Sequence, residues 1–393
     1  MRIILSAAAL LFVAGAASAQ VSVQCGGSFS NFVAKMTDAA ARKGHDRGVA
    51  QRFFAGVRHD PATIKADRAQ GIFAKTFTEF SRQLISQNRM DHGRRNLQKH
   101  AAIFDRMERQ YGVSRGVLTA FWAFETDYGG FQGNFNTLNS LMTLSHDCRR
   151  PELFQPQVFA ALELFERGDF NPATSTGAWA GEIGMVQMLP GDIIEAGVDG
   201  DGDGVVDLRR SPADALLSGA NMLKRLGWRA GEPWLQEVVV PADLDWSRTG
   251  LDTSMKVGEW ARLGVTARNG NLGPETLEAS ILLPQGRKGP AFIAYPNYRV
   301  YFEWNKSFVY VTTAAYFATR LEGAPVFDPR NPEAGLSGAR MKQLQQKLKA
   351  RGHDVGKVDG ILGAKTRAAV QAEQKRLGMP ADAWPTPALL NAL

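Results

Sequence analysis

The sequence predicts a mainly α-helical chain of two domains: a large helical one with a small irregular or β-containing portion, and a small one of three short helices. Three observations carry this. Apolar residues recur at helical spacing through much of residues 20–321, as in Leu97, Ile103, Phe104 and Met107, and again in Leu153, Val158, Leu162 and Phe165. Helix signals punctuate the pattern, with Gly112 closing one stretch and Ser114 standing as N-cap of the next. From Glu322 to Gly338 the composition turns to Gly, Ala, Pro and Asn, and Pro325, Pro329 and Pro332 remove backbone donors, so residues 322–337 read as a linker.

Residues 1–19 run from Met1-Arg2 through Ile, Leu, Ala and Val to Ala17-Ser18-Ala19, the pattern of a cleaved secretory signal. A membrane span needs roughly 20 apolar residues with flanking anchors, and neither this segment nor any later one meets that, so no membrane span is expected. Cys25 follows Ser22-Val23-Gln24 rather than the Leu and small residues of a lipoprotein signal. The expected product is therefore an exported, periplasmic protein, taken to be a monomer. In an oxidising compartment Cys25 and Cys148 permit one disulfide, two free buried thiols being the other reading. The formal charge is +7, with Arg42, Lys43, Arg94, Arg95, Lys342 and Lys347 spread along the chain. That suits an anionic polymer such as a bacterial wall, and the lack of a basic run interleaved with aromatics argues against nucleic acid.

Residues 117–129, VLTAFWAFETDYG, set one carboxylic acid, Glu125, late in an aromatic-rich helix ahead of Gly129-Gly130. Helical spacing puts Phe121, Trp122 and Tyr128 beside it and turns Ala123 and Asp127 away. Apolar neighbours raise a carboxyl pKa by penalising the charged form, which an acid working near neutral pH requires. Residues 234–310 are less regular, with β-rich pieces at Glu237–Val240 and Tyr298–Tyr301. Asp199-Gly-Asp201-Gly-Asp203-Gly204 places oxygen ligands at the first, third and fifth positions of an EF-hand-like loop, to which Val205 adds its carbonyl. The twelfth position is Arg210 rather than glutamate, so the expectation is a structural calcium ion, with a metal-free acidic turn as the alternative. No His-Glu-x-x-His or Cys/His cluster suggests a catalytic metal. In the small domain Met341, Leu344 and Leu348 share a helical face, and a second helix runs from Ala364 to Leu377 before Gly378.

Three ordered stretches carry a resemblance: the Glu125 helix, the loop AGEIGMVQMLP from Ala180 to Pro190, and NYRVYFEWNKSFVY at 297–310. Together they resemble the B-type lytic murein transglycosylases of the lysozyme-like fold. The resemblance implies a catalytic domain over 20–321 with Glu125 as the only catalytic acid. It further implies Gln187 in the loop that hydrogen-bonds the substrate and Asn305 and Tyr310 as polar groups near the acid, and it closes the acidic loop with Asp214, Asp207 competing. Two positions depart from the family: Ala178 replaces a serine, and Trp304 replaces a tyrosine while keeping a flat face for a sugar ring. Tyr128 and Glu182 complete the expected substrate-contacting set, Glu182 also being the better candidate for a second acid. Residues 338–393, with Leu-Gln-x-x-Leu and Val358-Asp-Gly-x-x-Gly-x-x-Thr366, resemble a three-helix peptidoglycan-binding domain, departing at Glu373, where an aromatic is usual. The implied activity is cleavage of the MurNAc–GlcNAc bond of peptidoglycan glycan strands with formation of 1,6-anhydro ends and no cofactor. The rivals are a hydrolytic muramidase and a non-catalytic wall-binding scaffold.

Overall fold

The structure, a computed structural model, describes residues 22–69 and 75–393; the export signal expected at 1–19 lies outside them. The acid helix, Arg115–Thr126, runs through the centre of the large domain, with Val117, Leu118, Ala120, Phe121 and Ala123 fully buried. Helices Gln87–Lys99, Pro212–Arg225 and Phe308–Leu321 pack around it. Its neighbour before Gly112 is two helices rather than one, broken at His100 between Gln87–Lys99 and Ala101–Tyr111. A second layer, Phe29–Arg42, Arg47–Phe54, Thr137–His146 and Pro151–Arg167, packs together and against the short helix Pro190–Ala196. Cys25 and Cys148 are disulfide-bonded there. The Val23 amide donates to Gln155 Oε1 at 2.9 Å, and Gln155 Nε2 returns a bond to the Val23 carbonyl at 2.6 Å.

The irregular portion is a five-stranded antiparallel sheet ordered Met255–Lys256, Glu278–Leu282, Ala291–Ala294, Leu235–Val239, Thr266–Ala267. Ile281 pairs with Ile293, and Glu237 with Phe292. One face buries Val238, Ile281 and Ile293 on Trp260, whose indole N–H donates to the Ala279 carbonyl at 2.9 Å. Glu237–Val240 is thus largely strand, but Tyr298–Tyr301 is not: it lies in the helix Pro296–Trp304. Pro296 at the first turn starts that helix, and Tyr298 and Tyr301, three apart, bury on one face.

Three helices, Gly338–Ala350, Ala364–Arg376 and Pro387–Ala392, form the C-terminal domain around Met341, Leu344, Leu348, Val370 and Leu389. Glu373 is buried where an aromatic is usual, and its carboxylate accepts from His353 Nε2 and Arg376 Nε, both at 2.8 Å; these bonds, the Arg376 one foremost, hold its pKa down. The segment between the domains has no regular structure yet is fastened. Phe327 is buried among Phe77, Phe292 and Tyr316, its amide donates to Tyr316 Oη at 3.0 Å, and the Glu333 carbonyl accepts from Trp384 Nε1 at 2.9 Å. No helix among the described residues is long and apolar enough to cross a membrane.

Candidate active site

Ser114 caps the acid helix through its Oγ, which accepts from the Gly116 amide at 3.1 Å. The helix ends at Thr126, because Asp127 and Tyr128 both take left-handed backbone conformations, φ 52° and 61°. This turn carries Tyr128 off the Glu125 face that helical spacing gave it. Its hydroxyl donates to the Arg89 carbonyl at 2.6 Å, and its ring meets Trp122 edge-on. Trp122 likewise turns to His100 and Tyr128, and Asp127 accepts from Arg89 Nε at 3.1 Å.

Glu125 is instead furnished from the far end of the chain. Tyr310 Oη donates to Glu125 Oε1 at 2.5 Å and Trp304 Nε1 donates to the same oxygen at 3.2 Å. The Trp304 ring stacks on Phe121, centroids 4.2 Å apart at 22°, and Phe121 stacks in turn on Tyr301. Oε2 accepts no bond from any described residue. Gly219 lets the indole lie there, since a Cβ on it would fall 2.8 Å from Leu118 and 3.6 Å from the Trp304 ring.

Burial raises the Glu125 pKa to about 7; the Tyr310 bond opposes this, the nearby Glu182 carboxyl adds to it, and the Trp304 bond opposes it again. Burial, then the adjacent Glu125 charge, lifts Tyr310 well above the usual phenol range, so it stays a donor.

The loop of residues 177–190 forms the wall facing the acid helix and is tied to it by Thr126, whose Oγ1 donates to the Met185 carbonyl at 2.6 Å and accepts from the Gly129 amide at 2.9 Å. The loop closes tightly enough to require glycine: a Cβ on Gly177 would lie 1.9 Å from the Glu182 carbonyl oxygen. Gln187 is held left-handed, φ 54°, and its amide donates to the Gly184 carbonyl at 2.7 Å and toward Gln132 O at 3.4 Å, leaving its oxygen to accept. Non-glycine residues in left-handed backbone thus occur both directly after the acid helix and in the loop tied to it. Glu182 Oε2 is buried without a donor, and burial raises this carboxyl too, against the pull of loop amides and Arg150. Asn305 ends the Pro296–Trp304 helix and accepts from the Ser307 amide at 2.9 Å. Ala178 donates its amide to the Glu182 carbonyl at 3.0 Å. The spacing argument missed Thr126 and Arg150; the position of Thr126, directly after the acid in the last helical turn, was the available signal.

In the acidic loop, ligand oxygens of Asp199, Asp201 and Asp203 lie within 4.8 Å of one another. Such a set of hard oxygens fits a hard divalent cation. Asp214 is fully buried and accepts from the amides of Gly200 at 2.9 Å and Asp207 at 2.7 Å and from Ser211 Oγ at 2.8 Å. It therefore fastens the two ends of the loop, while Asp207 caps the amides of Arg209 and Arg210.

Residues 28–319 match the family described as Transglycosylase SLT domain, and residues 337–393 match the Putative peptidoglycan binding domain. Among solved structures, SltB3 from Pseudomonas aeruginosa in complex with NAG-anhNAM-pentapeptide is 39% identical, with 93% of this chain and 99% of that one aligned at a TM-score of 0.85. Soluble lytic transglycosylase SltB1 from the same organism is 26% identical over 74% of this chain and 99% of that one, TM-score 0.66. Membrane-bound lytic murein transglycosylase B of Escherichia coli K12 is 24% identical over 301 residues, 72% of this chain and 81% of the relative. These matches across both domains, with a buried glutamate late in a helix of this fold, place the chain among the SLT-domain enzymes: it belongs to the B-type peptidoglycan lytic transglycosylases and carries a peptidoglycan-binding domain at residues 337–393.

Proposed function

We propose that Glu125 cleaves the MurNAc–GlcNAc β-1,4 bond by acting first as acid and then as base. Protonated on Oε2, it gives its proton to the bridging oxygen as the C1–O bond breaks. Ionised, it takes the proton of the muramoyl C6 hydroxyl as that oxygen bonds to C1. The products are a GlcNAc hydroxyl and a 1,6-anhydro-MurNAc end, and no water is consumed. The observation that carries this reading is the asymmetry of the carboxyl, with both donors on Oε1 and none among the described residues on Oε2, and a pKa near 7. A two-carboxylate glycosidase needs an ionised partner at fixed separation. Glu182 is a poor one, because burial raises it and nothing donates to its Oε2.

Gln187 and Asn305 supply amides to the sugar substituents, and the Trp304 indole N–H replaces the usual tyrosine hydroxyl as a donor to the acid. The peptidoglycan fragments that accompany SltB3, NAG-anhNAM-pentapeptide and NAG-NAM-pentapeptide, are the substrate class expected here, met in the periplasm by a monomer. Mass spectrometry of muropeptides released from purified wall tests the reaction. Ends lighter than reducing sugars by one water are expected; reducing ends alone would make the enzyme a muramidase.

Calcium is proposed to sit between Asp199, Asp201 and Asp203 with the Val205 carbonyl, as a brace rather than a reactant. Added calcium should raise thermal stability, by about 2.7 kcal/mol at one hundred times its dissociation constant, and chelation should reverse this. An unchanged melting curve would leave the loop a metal-free turn.

A further inference from the structure

The C-terminal domain meets the large domain at a small, partly open cavity between Leu251, Leu283 and Phe308 on one side and Arg367, Gln371 and Asp382 on the other. Arg367 reaches across it. Its Nη2 donates to the Pro284 carbonyl at 2.7 Å and Nη1 to the Leu283 carbonyl at 3.5 Å. The guanidinium lies 4.4 Å over the Phe308 ring and 5.9 Å from that of Trp384. Nε is buried without an acceptor, and no carboxylate among the described residues is bonded to the group. Tyr298 and Asp382 are the titratable groups within electrostatic reach, and Asp382 is taken up by Gln374 and Arg287. Burial brings the Arg367 pKa down to about 10, so it remains a cation at neutral pH. An unpaired cation costs stability in such a place, so its contact with Phe308 asks for another account.

Phe308 opens the helix Phe308–Leu321, and Tyr310, two residues on, donates to Glu125. Trp304, the other donor, closes the preceding helix. Residues 305–309 between them are cross-braced, Asn305 accepting from the Ser307 amide and Ser307 Oγ from the Tyr310 amide at 3.4 Å, with the Phe302 ring 6.4 Å from that of Phe308.

We infer that Arg367 is a positioning residue for glycan cleavage: by clamping Phe308, the wall-binding domain holds the segment that presents both hydrogen-bond donors to Glu125. The inference rests on Glu125 being the acid. Both donors favour the carboxylate form, so loosening them lets burial push the acid upward. The groups facing Glu125 are Glu182, Tyr310 and Trp304, with Tyr301 beside Tyr310.

The test is the pH dependence of cleavage by full-length wild type, Arg367→Met and Gln371→Ala. Gln371 bonds the carbonyls of Trp246 at 3.1 Å and Thr249 at 2.8 Å at the same junction without reaching Phe308. Arg367→Met is expected to lower kcat about fivefold, the scale of a weakened hydrogen bond to a charged group. It should also move the alkaline limb of the profile up by about half a pH unit, with KM for a soluble glycan fragment unchanged. Gln371→Ala should leave the limb in place. A wild-type rate and limb in Arg367→Met, or an equal shift in Gln371→Ala, overturns the inference. Should Arg367→Met fail to fold, Phe308→Leu removes the clamped ring and must move the same limb. Turnover by Glu125→Gln would instead sink the acid assignment, whereas an inactive Glu125→Gln beside an unaltered Arg367→Met sinks this inference alone.

Discussion

Glu125→Gln is expected to lose at least about a thousandfold in turnover, since general acid or base catalysis contributes about 10²–10⁴ and one residue here serves both steps. The amide is nearly isosteric and its oxygen still accepts from Trp304 and Tyr310, so fold and glycan binding should survive. In the wild type the rate should fall as pH rises through about 7, because the acid must carry its proton and the folded-state pKa lies there. Release of soluble muropeptides across pH reads both effects. Equal release by the variant, or a profile flat from pH 6 to 9, would remove Glu125 from the mechanism.

Replacing Cys25 and Cys148 with serine should cost roughly 4 kcal/mol of stability, because loop-closure entropy for a loop of about 100 residues is near 4.7 kcal/mol in the chain-entropy account. The bridge spans 123 residues and encloses the acid helix within its loop. It touches neither Glu125 nor its donors, so kcat at low temperature should hold. The denaturation midpoint of the double variant, with reduced wild type beside it, measures the loss; an unmoved midpoint would show that the Gln155 bonds to Val23 suffice to hold the N-terminal segment.

Much of this was legible in the residues. The caps at Ser114 and Gly112, the helix Pro151–Arg167 and the core of the C-terminal domain followed from local chemistry and period. Tyr298–Tyr301 misled because two tyrosines and a valine favour strand in isolation, while Pro296 and burial on one helical face decide otherwise. The surroundings of Glu125 were half legible. Phe121 followed from helical spacing, but the helix stops one residue after the acid, and spacing cannot follow Tyr128 through a left-handed turn. The donors at 304 and 310 lie far along the chain, so resemblance alone pointed to them. Composition marked 322–337 as a linker, yet it could not show Phe327 seated in an aromatic pocket.

That seated segment has a mechanical consequence. With Phe327 and Glu333 both pinned, the wall-gripping domain does not trail on a tether. On the function proposed above, a glycan strand gripped by this domain would meet Glu125 at an offset set by these two contacts rather than by the reach of a free tether.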